Sequence, residues 1–170
     1  MERLKIAIAG AGNIAQSCHL PAYQKRDDVE LVAICDLNLE RALDAAAKFG
    51  IKKAYGSFDE LLKNETFDAV DICVWNRSHS EIAIAAAQAG KHILCEKPMA
   101  LNNEHANAMK DAVEKAGITF MMAVPNRYKS EYQLARRMVD EGKLGDIYYA
   151  KAKALRRRAY LRRVFAVAQI

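Results

Sequence analysis

The chain has 170 residues, 52% of them hydrophobic and 28% charged, a composition that suits one globular domain with a good core and leaves little room for two substantial ones. No uninterrupted apolar run reaches the roughly 18 residues that a membrane span needs. The net charge of +5 comes from the last twenty residues, where Lys151, Lys153, Arg156, Arg157, Arg158, Arg162 and Arg163 stand without an acid; residues 1–150 are left at −2, which excludes a whole-body argument for nucleic-acid binding.

The start, MERLKIAIAGAGNIA, has a short apolar run and no small-residue cleavage site, so the chain is expected to be cytoplasmic, without a signal peptide. Its first strand, Leu4–Ala9, runs into Gly10, Gly12 and Ala15 at the start of a helical stretch, Ile14–Gln24. This is the G-x-G-x-x-G/A dinucleotide fingerprint in its strand-to-helix context. Gly10 permits the tight turn, Gly12 lets the backbone approach a pyrophosphate, Ala15 lets helix and strand pack closely, and the helix N-terminus presents free N–H groups. The run Leu31–Cys35 reads as a strand ending at Asp36, whose carboxylate either accepts from both adenosine ribose hydroxyls or caps the next helix. The same charge repels a 2′-phosphate and the next arginine is only Arg41, so NAD is expected rather than NADP.

Helical spacing follows at Leu39–Phe49 and Phe58–Leu62, then a strand over Ala69–Trp75. Its polar exit, NRSHSEIA, offers Asn76 as a cofactor contact and Ser78 with Glu81 as a capping box. His79 either lines the crevice or is structural. A helix over Glu81–Ala89 precedes the strand His92–Cys95, which delivers Glu96, Lys97 and Pro98 to the crevice. A lysine there can hydrogen-bond a substrate hydroxyl or polarise an oxyanion, though a surface ion pair is the competing reading. Helix Asn103–Ala116 and strand Thr119–Val124 complete the alternation, with Gly50, Gly90 and Gly117 closing helices. The whole reads as an α/β fold, a six-strand doubly wound parallel Rossmann sheet over residues 1–124. Residues 125–155 then begin a second, incomplete α/β domain with a helix at Ser130–Glu141 and a strand over 147–155, and residues 156–170 form an atypical basic and apolar tail. Cys18, Cys35, Cys73 and Cys95 lack the close spacing of a metal clip or redox pair and are expected to be reduced, with no metal bound.

Four motifs in one order, Gly10 to Ala15, Asp36, NRSHSEIAIAAAQAGKHILCEKPMA and PNRYKSEYQLARRMVDEGKLGDI, resemble the glucose-fructose oxidoreductase and inositol dehydrogenase family (Gfo/Idh/MocA) over residues 4 to about 155. The resemblance implies a nicotinamide-dependent oxidoreductase acting on sugars, cyclitols or related polyols. It implies cofactor contacts from Gly10, Gly12, Asn13, Ile14, Ala15, Asp36, Asn76, His79, Glu96, Lys97 and Asn126, and substrate contacts from Lys97 and Arg127. Lys97 is the implied catalytic group and the Lys97–Pro98 bond is expected to be cis. In the family a second α/β domain supplies an Asp and a His beside the substrate, and none of His19, His79, His92 and His105 matches that histidine. The expectation is therefore a truncated enzyme of reduced competence, with a non-catalytic NAD-binding or assembly module as the alternative. The tail after Arg158 reads as Ala-Tyr-Leu, one base out of frame from the family's Gly-Ile-Pro, and suggests a frameshift. Exposed strand edges at 146–170 offer a route to a homo-oligomer, and neither nucleic acid nor membrane is expected as a partner.

Overall fold

The computed structural model describes residues 3–153 and 155, so the basic tail at 156–170 and its frameshift reading lie outside the described residues. Six strands form one parallel sheet: β1 Leu4–Ala9, β2 Val29–Cys35, β3 Lys53–Tyr55, β4 Ala69–Ile72, β5 His92–Glu96 and β6 Phe120–Ala123, in the order β3-β2-β1-β4-β5-β6. The six-strand expectation holds; β3 is a three-residue strand that no apolar run announces, held by pairing Ala33 to Lys53 and Cys35 to Tyr55. The order reverses between β1 and β4, so the carboxyl ends of these two strands part and open a crevice.

Both sheet faces are buried, and β1 shows how alternation divides them. Ile6 and Ile8 point into a cluster with Leu20, Ile34, Ala45 and Ala46, on the side of helices α1 (Leu20–Tyr23) and α2 (Leu39–Phe49). Ala7 and Ala9 point into the opposite cluster with Leu61, Val70, Ala83 and Met109, under α3 (Phe58–Asn64), α4 (His79–Gln88) and α5 (Asn103–Ala116). Asn38, Ser57 and Asn102 cap α2, α3 and α5 by accepting from the backbone N–H three residues on. Gly50, Gly90 and Gly117 adopt the left-handed conformation after helices, as the sequence suggested.

Two local expectations fail. Ser78 sits in a 3-10 turn, Asn76–Ser78, and makes no side-chain cap bond, so the Ser78–Glu81 capping box does not form. The strand expected through Trp75 stops at Ile72: Cys73 N–H still donates to Ala9 O at 2.7 Å, but the chain then turns away where β1 itself gives way to the glycine loop.

The chain divides into two compact units, Met1–Pro125 and the segment from Asn126 on. In the second, α6 (Ser130–Asp140) carries an Arg136–Asp140 pair at 2.8 Å and buries no residue. Of the strand expected over 147–155, the described residues 147–153 and 155 form no strand. Among the described residues no helix is long and apolar enough to cross a membrane.

Candidate functional site

The site begins where β1 ends. Gly10 has φ +101°, and a Cβ there would lie 2.6 Å from Cys73 O, so the position admits no side chain. Gly12 differs: a Cβ there would meet no atom within 4 Å. The protein's own packing does not demand a glycine at 12, yet its absence of side chain leaves a bare backbone facing open space at the start of a helix, which is what a pyrophosphate requires. Ala11 and Ala15 are fully buried against the sheet. Gly10, Gly12, Asn13, Ile14 and Asp36 line one cleft of about 1130 Å³, whose lining also includes Trp75 and Ile82. The residues present therefore fit a dinucleotide.

Asp36 does more than the sequence suggested. Its Oδ2 accepts from Ala11 N–H at 2.9 Å and its Oδ1 from Asn38 N–H at 2.9 Å, so it ties the end of β2 to the glycine loop. Each carboxylate oxygen keeps a second lone pair for a ribose hydroxyl. Arg41, discounted by its distance along the chain, stands one helical turn into α2 with Nη1 3.5 Å from Asp36 Oδ1, on the same cleft.

The expected nicotinamide end lies at β5. Glu96 is buried at its last position, while Lys97 is exposed, with no hydrogen bond or ion pair to its Nζ among the described residues. The Lys97–Pro98 bond is cis. Asn76 is exposed in its 3-10 turn. His79, expected among the cofactor contacts, is fully buried; its Nδ1 donates to Pro98 O at 2.7 Å and its Nε2 lies 3.2 Å from Val74 O. It staples the β4 exit to the Lys97–Pro98 turn and has no surface left for a ligand. Asn126 and Arg127 are exposed in the turn Pro125–Tyr128, at the start of the second unit.

Within the first unit the structure also assembles a polar cluster that the sequence reading missed. Pro21 offers no N–H to its helix, and the preceding residues Ala15–His19 widen into a π turn in which Leu20 N–H reaches back to Ala15 O. His19 lies in that turn, with Nδ1 2.7 Å from Asp71 Oδ2 and Nε2 3.1 Å from Glu96 Oε1. Asp71 is wholly buried in β4 and also accepts from Tyr23 OH at 3.0 Å. His19, Asp71 and Cys73 offer three potential metal ligands within 4.8 Å of one another. The Nδ1 to Oδ2 contact is nonetheless a hydrogen bond, closer than the roughly 3.3 Å between two ligands on a tetrahedral zinc, so His19 and Asp71 read as an ion pair to which the Cys73 thiol donates. Burial raises the Cys73 thiol, with Asp71 adding to it, and pushes Cys35 and Cys95 up to about 12, so these thiols behave as small hydrophobes.

Burial opposes a charge on His19, but its hydrogen bonds to Asp71 and Glu96 and their charges outweigh burial and raise the imidazole to about 9 from 6.5. The folded protein thus holds a proton that the unfolded chain releases around pH 6.5; this stabilisation is complete below that pH and is lost as pH rises through about 9. The expected loss across the window is on the order of 3 kcal/mol. Urea midpoints at about pH 6 and about pH 9.5 measure it, and His19→Gln should remove the slope; equal slopes in both proteins would contradict the assignment.

A parallel sheet with its order reversed at β1 and β4, a glycine loop at that crevice and a carboxylate at the end of β2 define a dinucleotide-binding Rossmann domain. Comparison with known proteins gives the family. Residues 4–124 match the family model GFO_IDH_MocA, described as an oxidoreductase family with an NAD-binding Rossmann fold, and the chain belongs to that family. It is 38% identical over 154 residues to D-glucoside 3-dehydrogenase of Escherichia coli K12, covering 91% of this chain and 44% of the relative. Among solved structures it resembles the WlbA dehydrogenase of Bordetella pertussis in complex with NADH and UDP-GlcNAcA, at TM-score 0.82 and 32% identity over 86% of this chain and 42% of that one. It also resembles myo-inositol 2-dehydrogenase of Lactobacillus plantarum, at TM-score 0.79 and 28% identity over 86% and 43%. The chain thus spans less than half the length of these relatives, and its cofactor, by family, is NAD.

Proposed function

We propose that this chain is the cofactor-binding part of an NAD-dependent oxidoreductase that moves a hydride between the nicotinamide and a carbon bearing a sugar or polyol hydroxyl. The observation that carries this reading is the cleft at the carboxyl ends of β1 and β2, lined by the bare backbone at Gly12 and by the Asp36 carboxylate, with Lys97 exposed just past the carboxyl end of the parallel strand β5. Gly12, Asn13 and Ile14 take the pyrophosphate on backbone N–H groups, and Asp36 takes the adenosine ribose. Bound NAD supplies the hydride acceptor. Lys97 Nζ hydrogen-bonds the reacting hydroxyl and carries its proton, and Asn76, Asn126 and Arg127 contribute polar contacts to cofactor and substrate.

Hydride transfer also needs water excluded from the reacting atoms. Lys97 is exposed, so turnover by the 170-residue chain is expected to be slow. Titration of NADH by fluorescence, beside dehydrogenase assays on glucosides and inositols, tests the reading. NADH is expected to bind about tenfold or more tighter than NADPH, because a 2′-phosphate would face Asp36 at a cost of about 1.4 kcal/mol or more. Slow oxidation of a polyol that Lys97→Met removes would complete the result. Tight NADH binding with no turnover on any substrate would instead favour a non-catalytic NAD-binding module.

A further inference from the structure

Glu96 has both carboxylate oxygens engaged. Oε1 faces His19 Nε2 at 3.1 Å, and Oε2 accepts from the backbone N–H of Lys97 at 3.0 Å. His19 is gripped on its other side by Asp71, which Tyr23 holds in turn. A continuous chain of hydrogen bonds therefore runs from α1 and β4, through one imidazole, to the peptide that carries Lys97. One residue further along, His79 Nδ1 donates to Pro98 O.

We propose that His19 is a positioning residue for Lys97: by holding Glu96 across the Lys97 amide, it fixes the backbone from which Lys97 Nζ reaches the substrate. This inference rests on the proposed role of Lys97. The charges around the site support it. Asp71 and Glu96 are the carboxylates facing His19, and Tyr23 and Cys73 are the other titratable groups against Asp71. With His19 protonated, one imidazolium faces both carboxylates; without that proton, the two buried carboxylates lose their shared counter-charge, and an unpaired buried charge is costly. The rise of the His19 imidazole to about 9 keeps this pairing at neutral pH.

The test is the Lys97 amide in 1H–15N spectra of the full 170-residue chain, with NADH binding followed in parallel. In His19→Ala, hydrogen exchange at the Lys97 amide should speed up about tenfold or more beyond the change at core amides such as Ile8 and Val70, corresponding to about 1.4 kcal/mol of local opening. His19→Gln, which keeps one N–H to donate, should recover part of that protection, and NADH affinity should stay within about threefold of wild type in both. A Lys97 amide that changes no more than the core would overturn the proposal, because a histidine that only stabilises the fold moves all amides together. Should His19→Ala not fold, Glu96→Gln cuts the same chain one bond later while leaving His19 on Asp71, and the same excess exchange at Lys97 is expected. Failure of the parent reading looks different: NADH would bind wild type without shifting the Lys97 amide, whereas the comparison among variants would still read the role of His19.

Discussion

Gly12→Val is expected to weaken NADH binding by about 100-fold or more while moving folding stability by less than about 1 kcal/mol. The two halves of that result have separate causes. A side chain at 12 touches nothing in the protein, so folding has little to lose. The same side chain would occupy the space over the helix start, where a pyrophosphate must come within hydrogen-bond distance of backbone N–H groups. Gly10→Ala should behave in the opposite way. Its Cβ would press on Cys73 O at 2.6 Å with φ at +101°, and a stability loss on the order of 3 kcal/mol is expected from the clash and the strained backbone together. Denaturant midpoints and NADH titrations on the two variants check both. Unchanged NADH affinity in Gly12→Val would remove the glycine loop as the pyrophosphate seat.

Asp71→Ala is expected to be the most destabilising single change, with a loss of about 3 to 5 kcal/mol at neutral pH. Asp71 is the shared acceptor of His19 and Tyr23 and is wholly buried, so its removal leaves a phenol and an imidazolium without their partner. The same carboxylate, together with burial, raises the Tyr23 hydroxyl, which stays protonated and donates. The difference between wild type and variant should narrow as pH approaches about 9, where His19 gives up the proton that Asp71 retains for it. Urea unfolding across pH 6 to 9.5, roughly, measures this. A loss below about 1 kcal/mol at pH 7 would show the cluster to be energetically idle.

The glycine loop, Asp36 and the Glu96-Lys97-Pro98 turn were legible because each is a local pattern placed at a strand end. The His19 cluster was not, because its bonds join residues 52 and 77 positions apart. One signal was nevertheless present: Asp71 interrupts the apolar run AVDIC in a strand buried on both faces, and a carboxylate there demands a partner. Arg41 was misjudged for a related reason, since five residues along the chain become one helical turn once Asn38 caps α2. Ser78 and Glu81 had the spacing of a capping box, but a 3-10 turn already occupied the serine's place. The box-like arrangement occurs instead before α3, where Ser57 Oγ accepts from Glu60 N–H and Glu60 Oε2 accepts from Gly56 N–H. At 147–155 the sequence read as a strand, but a strand exists only where another backbone takes its hydrogen bonds, and the described residues there form none.

The π turn has a consequence for inheritance. It sits in a single helical rod, Ala15–Tyr23, roughly 13 Å long, that starts under the glycine loop and carries at its far end the histidine and tyrosine that clasp Asp71. The proposed phosphate seat and the proposed lysine anchor are therefore copied together or broken together. A chimera that borrows the glycine loop of a relative but splices inside residues 15–23 would separate them, whereas one that takes 10–23 whole transplants both.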